Sequence, residues 1–280
     1  MSALWPKVTK EHPCKICGHG DWLCRYGDKA QICMRVESPK PSRDGGWYHF
    51  YDSKIKPKVM PKRFVPPKVK VDFEKIYSDG LKTTKSCYGL SGELGVSEES
   101  LLSLGAVSSI QGIPTWAFPM RDGDNKIIGI HLRYDDGSKK CVTGSQGGLF
   151  IPQVEPQKLA YICEGASSCA ALLTMGFYAI GRFNCNSGAD MLKIALKRLG
   201  VTRIVIVADN DTLKTAPNGK MFRPGQDGAS RLKKELGLMS VIFTCPNPVK
   251  DVRQLLQKLG VEDAKSYIEN SIKMKIWTRV

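Results

Sequence analysis

The stretch that most constrains this chain is "IVIVADND", residues 204–211. Five apolar residues, mostly β-branched, run straight into Asp209, Asn210 and Asp211. A continuous run without polar alternation reads as a strand buried on both faces, the kind found in a parallel sheet covered by helices. The neighbouring sequence has the matching rhythm. "KLAYICEG" reads as a strand, and "ASSCAALLTMG" as a helix closed by Gly176. "FYAIG" follows as a strand and "ADMLKIALKRLG" as a helix closed by Gly200. After 204–211, "GQDGASRLKKELG" holds a helix and "VIFTC" a strand. Strands alternating with helices imply right-handed crossovers and a mainly parallel sheet.

In such a sheet the ligand crevice lies beyond the carboxyl ends of the strands. Asp209 and Asp211 are one residue apart at such an end, so both can face one site. Glu164 ends "YICEG" in the same way, and Asp251 follows the last strand after Lys250. Carboxylates gathered without a cation repel and raise one another's pKa. A divalent ion resolves the conflict, and oxygen-only ligands suit Mg²⁺ or Mn²⁺. Clusters of this kind handle phosphates. There is no G-x-x-x-x-G-K-[ST] loop, which argues against ATPase or helicase activity in this chain.

The first 50 residues cannot fold by packing alone. They hold four cysteines and three of the four histidines but few aliphatic residues. Cys14 and Cys17, followed by Gly18, form a knuckle, and Cys24 and Cys33 flank a turn at "YGDK". Four thiolates would close a tetrahedral Zn²⁺ site that is structural and supplies folding energy. His12, His19 and His49 are alternative ligands. Trp22, Tyr26, Trp47, Tyr48, Phe50 and Tyr51 interleave with Arg25, Lys29, Arg35 and Arg43, a composition suited to stacking single-stranded bases.

The net charge is +15, and residues 1–70 alone carry 15 basic against 6 acidic side chains. That excess points to a polyanionic partner. Residues 53–70 have four prolines, seven Lys or Arg and no acid, as expected of an extended linker. No apolar run approaches the ~18 residues of a membrane span, and no leader opens the sequence, so a cytoplasmic protein is expected. Its cysteines then read as metal ligands or core thiols. Between linker and sheet, "DFEKIYSDGLK" and "VSEESLLSLGA" have helical spacing, the second with Ser97 as N-cap. "TWAFPMRDGDNKIIGIHLRYDDGSKKCVTG" reads as an antiparallel meander of two or three strands.

A strand–Glu-Gly–helix unit followed by strand–Asp-x-Asp resembles the TOPRIM domain. The stretch before it, "DNKIIGIHLRYDDGSKKCVTGSQGGLF", is similar to the core of DnaG-type and phage-type bacterial primases. Arg133, Lys140 and Ser145 match that family's arginine, lysine and serine by position. With the four-cysteine ribbon, the resemblance covers about residues 12–50 and 112–257. It implies residues 1–52 as the ribbon, 53–71 as linker, 72–155 as an α+β basic subdomain, 156–262 as the α/β TOPRIM domain and 263–280 as a helix or tail.

By the same resemblance the chain is a DNA primase. Glu164, Asp209 and Asp211 would be catalytic, holding Mg²⁺ with Asp251. Arg121, Arg133, Lys139, Lys140 and Lys250 would grip nucleotide and template. Single-stranded DNA, NTPs and a separate replicative helicase are the implied partners. A TOPRIM nuclease and a non-catalytic single-strand-binding or helicase-recruiting module are the rivals. The chain departs from the family pattern in three places. Ser167 and Ser168 replace an acid, Cys141 replaces an aromatic residue, and "TLKTAPNGKMFRP" is inserted after Asp211. The insertion reads as a hairpin whose Lys214, Lys220 and Arg223 are either phosphate contacts or solvated surface.

Overall fold

The computed structural model of the chain describes residues 5–42, 45–51, 71–84, 86–215, 219, 221–237 and 240–277. The expected linker lies outside these residues except for Val71, as do Arg43 and Lys220. The chain divides into two compact units, Met1–Lys70 and Val71–Val280.

The first unit is a three-stranded antiparallel sheet of β1 (Arg25–Tyr26), β2 (Ala30–Cys33) and β3 (Trp47–Phe50), in that order. Arg25 pairs with Ile32 and Tyr26 with Gln31, which sets Cys24 and Cys33 at one end of the hairpin. Its buried centre is Val8 with Cys14, Cys24 and Cys33. So small a core cannot offset chain entropy, as the composition implied.

The second unit opens with α1 (Phe73–Thr83), whose N-cap Asp72 accepts from the Lys75 amide at 3.0 Å. Next come α2 (Tyr88–Leu94) and α3 (Glu98–Ser103). Ser97 caps α3, accepting from the Ser100 amide at 3.2 Å. Five strands follow: β4 (Val107–Ile110), β5 (Ile113–Arg121), β6 (Ile127–Arg133), β7 (Lys139–Cys141) and β8 (Leu149–Phe150). The expected meander is β5–β6–β7. Beyond it lie β9 (Leu159–Glu164), α4 (Gly165–Thr174), β10 (Ala179–Arg182), α5 (Ala189–Arg198) and β11 (Arg203–Ala208). A short hairpin, β12 (Lys214–Thr215) and β13 (Met221–Phe222), precedes α6 (Pro224–Leu236), β14 (Ser240–Thr244), α7 (Val252–Leu259) and α8 (Val261–Trp277).

These strands build one sheet in the order β14-β11-β9-β10-β8-β5-β6-β7, with β4 also on β5. From β14 to β10 every pairing is parallel; from β10 through β8 to β7 every pairing is antiparallel. The position near residue 155, where two subdomains were expected to meet, therefore falls inside a continuous sheet. The parallel half is covered on both faces. Helices α3, α4, α7 and α8 pack over one apolar cluster, and α5 and α6 over another. This explains why β9 and β11 are uninterrupted apolar runs. Among the described residues no helix is long and apolar enough to cross a membrane.

Phe150 of β8 sits where the two halves join. It is fully buried, with Phe118 at 6.4 Å and His131 at 5.7 Å between ring centroids. Phe150→Ala should cost about 3–5 kcal/mol by urea denaturation. A loss below ~1 kcal/mol would mean the join is not closely packed.

Candidate functional site

The order of the parallel strands creates one switch point. From β9 the chain crosses to β10 on one side, then returns to lay β11 on the other. Crevices form at such points, outside the carboxyl ends of the strands. Glu164 closes β9, and Asp209 follows β11 directly. The register, Ile204 beside Ala160 through Ile206 beside Ile162, brings both acids to the same rim.

Local chemistry fixes each acid. Gly165 takes φ +78°, a backbone conformation open to glycine, letting the chain leave the strand at Glu164 and enter α4 at once. Asp211 Oδ2 accepts from the Gly225 amide at 2.9 Å. A Cβ at Gly225 would lie 2.5 Å from the Asp209 carbonyl oxygen, so only glycine fits there. Asp251 is the N-cap of α7, its Oδ1 accepting from the Gln254 amide at 2.8 Å. Asn210 is the latch between the two acidic loops. Its amide donates to the Lys250 carbonyl at 2.6 Å, and its Nδ2 donates to Asn247 Oδ1 at 2.8 Å and Val249 O at 3.3 Å.

The acids lie within one another's field. Burial first, then Glu164, Asp251 and Asp211, push the Asp209 carboxyl up to about 7, with Lys250 opposing. Burial and then Asp211 raise Glu164, while the hydrogen-bonded Cys185 thiol, Arg182 and Lys250 hold it down. The donors are all oxygen, come from three strand ends, and are anchored by the caps above. That set fits a hard divalent cation. No three carboxylates among the described residues are drawn as close together as the cysteines.

Of the expected basic residues, Lys250, Lys139 and Arg133 group beside the acids. Burial first, then Arg133, Arg253 and Lys250, lower the Lys139 pKa, and Asp251 opposes them. Arg133 Nη2 pairs with Glu93 at 2.5 Å, while its buried Nε has no partner. His131 beside them is held down to about 4, by burial and then by Lys139 and Arg133, so it stays neutral near pH 7.

Arg121 ends β5 in the cross-strand row that runs through Leu149 and Arg182 to Glu164. It is 8% exposed, and its Nη1 donates to the Asn125 carbonyl at 2.9 Å, bracing the β5–β6 turn. Lys140 lies over the Tyr134 ring at 5.6 Å.

Sequence reading missed three members of the site: Arg253, Asn210 and Arg182. Arg182 is 6% exposed and stands beside Glu164 in the β9–β10 register. It donates to the Ser187 carbonyl from Nη2 at 2.6 Å and from Nε at 3.1 Å, holding the loop that carries Cys185. An arginine ending a strand next to the Glu164 strand was the available signal.

In the first unit the ligand atoms of Cys14, Cys17, Cys24 and Cys33 all lie within 4.8 Å of one another. The cluster fits a structural zinc ion. The histidines are engaged otherwise: His19 Nδ1 lies 2.8 Å from the Cys17 carbonyl, and His49 Nε2 lies 2.9 Å from that of Val36. Amides of Met34, Arg35 and Val36 donate to Cys24 and Cys33 sulfurs at 3.3–3.4 Å. Trp5, Tyr26, Tyr48 and Phe50 line a nearby cavity of about 550 Å³, with Lys40 over the Phe50 ring at 5.1 Å.

No protein-family model and no curated protein matches the sequence. Solved structures do match the fold. A DnaG primase catalytic domain bound to single-stranded DNA aligns with TM-score 0.52 at 16% identity, over 71% of this chain and 79% of that one. The E. coli primase catalytic core aligns at 0.52 and 15% identity, over 71% and 77%. The fold is that of the DnaG-type primase core. The zinc-binding and RNA polymerase domains of Aquifex aeolicus primase align at 0.51 and 12% identity, over 70% of this chain and 59% of that one. At these identities the DnaG likeness describes the backbone, and the chemistry has to be argued from the side chains.

Two outcomes test the site. The Asp209 pKa is raised from the unfolded value of ~3.9, so its burial destabilises the fold increasingly as pH rises from about 4 through 7. Asp209→Asn should therefore be more stable than wild type by about 1–2 kcal/mol at pH 8 and nearly equal at pH 4, without divalent ions. The full shift is discounted because the group is partly solvated. Denaturation at both pH values measures this, and a less stable variant at pH 8 would contradict it. For the ribbon, elemental analysis should find one zinc per chain, lost in Cys24→Ser together with protease resistance of residues 5–51.

Proposed function

We propose that this chain is a DNA-dependent RNA primase, joining ribonucleotides on a single-stranded DNA template by metal-dependent nucleotidyl transfer. One observation carries the reading: Glu164 and Asp209 end adjacent parallel strands at one rim of a primase-like sheet, where burial and neighbouring acids, Asp211 for both and Asp251 for Asp209, raise their pKa. One structural neighbour, a DnaG catalytic domain bound to single-stranded DNA, supports the template class.

The four acids would hold Mg²⁺ or Mn²⁺, which when bound offsets phosphate charge as a 3′-hydroxyl attacks an α-phosphate and pyrophosphate leaves. The protein's own groups do the positioning. Lys250, next to Asp251 and felt by both Glu164 and Asp209, gives phosphate oxygens a cation at the rim of the acids. Lys139, Arg133 and Arg253 extend that positive side toward β6 and β7. Arg182 acts through the 183–188 loop, fixing Cys185 and with it the Glu164 carboxylate. Asn210 ties the Asp209–Asp211 loop to the Lys250–Asp251 loop, so acid and cation keep a constant spacing. The cysteine ribbon, with its aromatic cavity, would hold template bases, and a separate replicative helicase would deliver the strand.

Labelled NTPs on random-sequence single-stranded DNA, with Mg²⁺ or Mn²⁺, should give short oligoribonucleotides. Asp209→Asn should make under about 1% as much, a loss of roughly 3 kcal/mol in transition-state stabilisation. Full activity in the variant would remove the site assignment. Shortened DNA in place of new RNA would identify a nuclease.

A further inference from the structure

Three aromatic rings meet on one face of the sheet, where its parallel and antiparallel halves join. Phe150 of β8 is fully buried. The His131 ring of β6 lies 5.7 Å from it and 5.8 Å from the Phe183 ring, between centroids. The planes of His131 and Phe183 are nearly perpendicular, at 82°. Unlike Phe150, these two rings are only half-buried. Neither enters the positioning roles above.

Backbone sets both rings. Phe183 opens the loop that carries Cys185, and its amide donates to the Gly148 carbonyl at 3.0 Å. A Cβ on Gly147 would come within 2.6 Å of the Phe183 ring, so bare backbone packs on that side. His131 pairs across the sheet with Phe118 of β5 and Cys141 of β7. Arg133, two residues on, shares its face of β6 and pairs with Lys139. The rings therefore adjoin both parts of the site. Phe183 follows Arg182, the neighbour of Glu164 in the β9–β10 register. His131 stands close enough to Lys139 and Arg133 that burial and these two cations keep it neutral near pH 7.

Packing alone does not account for an imidazole at 131. Its Nδ1 is buried without a partner, an unfavourable state that a leucine over Phe150 would avoid. Arg133 Nε, on the same face, is likewise buried and unpartnered. Half-covered flat rings beside cations suit a ligand with a planar apolar part and an anionic part. A free phosphate would leave the rings bare. A single strand calls for successive rings along its length, and here one pair is bounded by Gly147 and Phe150. A nucleoside triphosphate has both parts in one molecule.

We infer that Phe183 and His131 form the platform for the base of the nucleoside triphosphate, which lies flat on one ring and against the edge of the other, with its phosphates toward Lys139, Arg133 and Lys250. The identity of the ligand rests on the nucleotidyl-transfer reading. Every base has a flat face, so the platform fixes the pose of the nucleotide without selecting its sequence.

Calorimetry on the full chain with Mg²⁺ and no template reads ATP and inorganic triphosphate, and fluorescence anisotropy reads labelled single-stranded DNA. The wild type should bind ATP more tightly than inorganic triphosphate. Phe183→Leu and His131→Leu should each bind ATP about tenfold more weakly, and bind inorganic triphosphate and the single strand as wild type does. Phe183→Tyr, which keeps the ring, should stay near wild type. Unchanged ATP affinity in either leucine variant, or equal losses for ATP and inorganic triphosphate, would overturn the inference. So would a loss on the single strand alone, which assigns the rings to the template, or a wild type that binds ATP no better than inorganic triphosphate. A wild type that binds ATP in this ring-dependent way yet makes no oligonucleotide sinks the primase reading and leaves the platform standing.

Discussion

Parallel pairing of β9 with β11 is the contact from which the rest of this site follows. Two strands distant in sequence are locked in register, Arg203 beside Leu159 and Ile206 beside Ile162, and each ends in a carboxylate. Neither acid could be held at this depth by its own loop. The apolar strands bury both faces and drag Glu164 and Asp209 to the edge of a low-dielectric region. There burial and mutual repulsion disfavour the charged forms. The fold thus carries a local electrostatic cost that hydrophobic burial in the two flanking clusters offsets. A site whose ground state resists being charged is well matched to a cationic ligand, since the binding energy of the cation is then largest there.

The cysteine unit meets the same problem with other means. With only Val8, Ala30 and Ile32 as buried aliphatic residues among the described ones, it has little apolar area to remove from water. Burial and like neighbours raise the Cys24 thiol to about 11, so the sulfurs alone do not favour the thiolate. Amide donors from Met34, Arg35 and Val36 and the Arg35 guanidinium at 3.7–3.8 Å from Cys24 and Cys17 supply part of the needed positive field. A divalent ion would supply the remainder and cross-link the unit at once. In both units, then, the folded chain brings together groups that resist ionisation, thiols in one and the Glu164 and Asp209 carboxyls in the other. Sulfur ligands close one site, while oxygen ligands at a sheet edge leave the other open to a crevice.

What the sequence disclosed follows from how local each signal is. The β11 run and its two aspartates were legible because continuous apolar residues leave few alternatives to a buried parallel strand. Cys24 and Cys33 were legible because a turn between them sets the hairpin. The Ser97 cap and the β5–β7 meander depend on neighbours within a few residues. Strands β4 and β8 went unread: each is short, and β8 is held by pairing with β5 and β10, well separated from it in sequence, while β4 folds back on β5 through a two-residue turn. Arg182 and Arg253 are ordinary basic residues until tertiary pairing puts them beside Glu164 and Lys139. Asn210 looked like a spacer between aspartates, and its role appears only with the Asn247–Val249 loop in place. Arg121 is a case the sequence left open: a cation expected at a phosphate is buried at the end of β5, with its Nη1 on the Asn125 carbonyl.

The distribution of charge around the crevice has a further consequence. Burial, and then Arg133, Arg253 and Lys250, lower the Lys139 pKa, so the positive side too resists its own charge. Asp251 stands between them, raising Lys139 while pushing Asp209 up. Two fields of opposite sign, each self-repelling, meet along the Lys250–Asp251 peptide. Lys250 gives its backbone carbonyl to the Asn210 latch, and Asp251 gives one carboxylate oxygen to the α7 cap. A ligand that is itself both anionic and cation-bearing, such as a metal-bound polyphosphate, relieves both strains in one binding event, and a simple anion or a bare cation relieves only one. The Asn210–Lys250 hydrogen bond and the Asp251 cap on α7 fix the two residues where those fields meet.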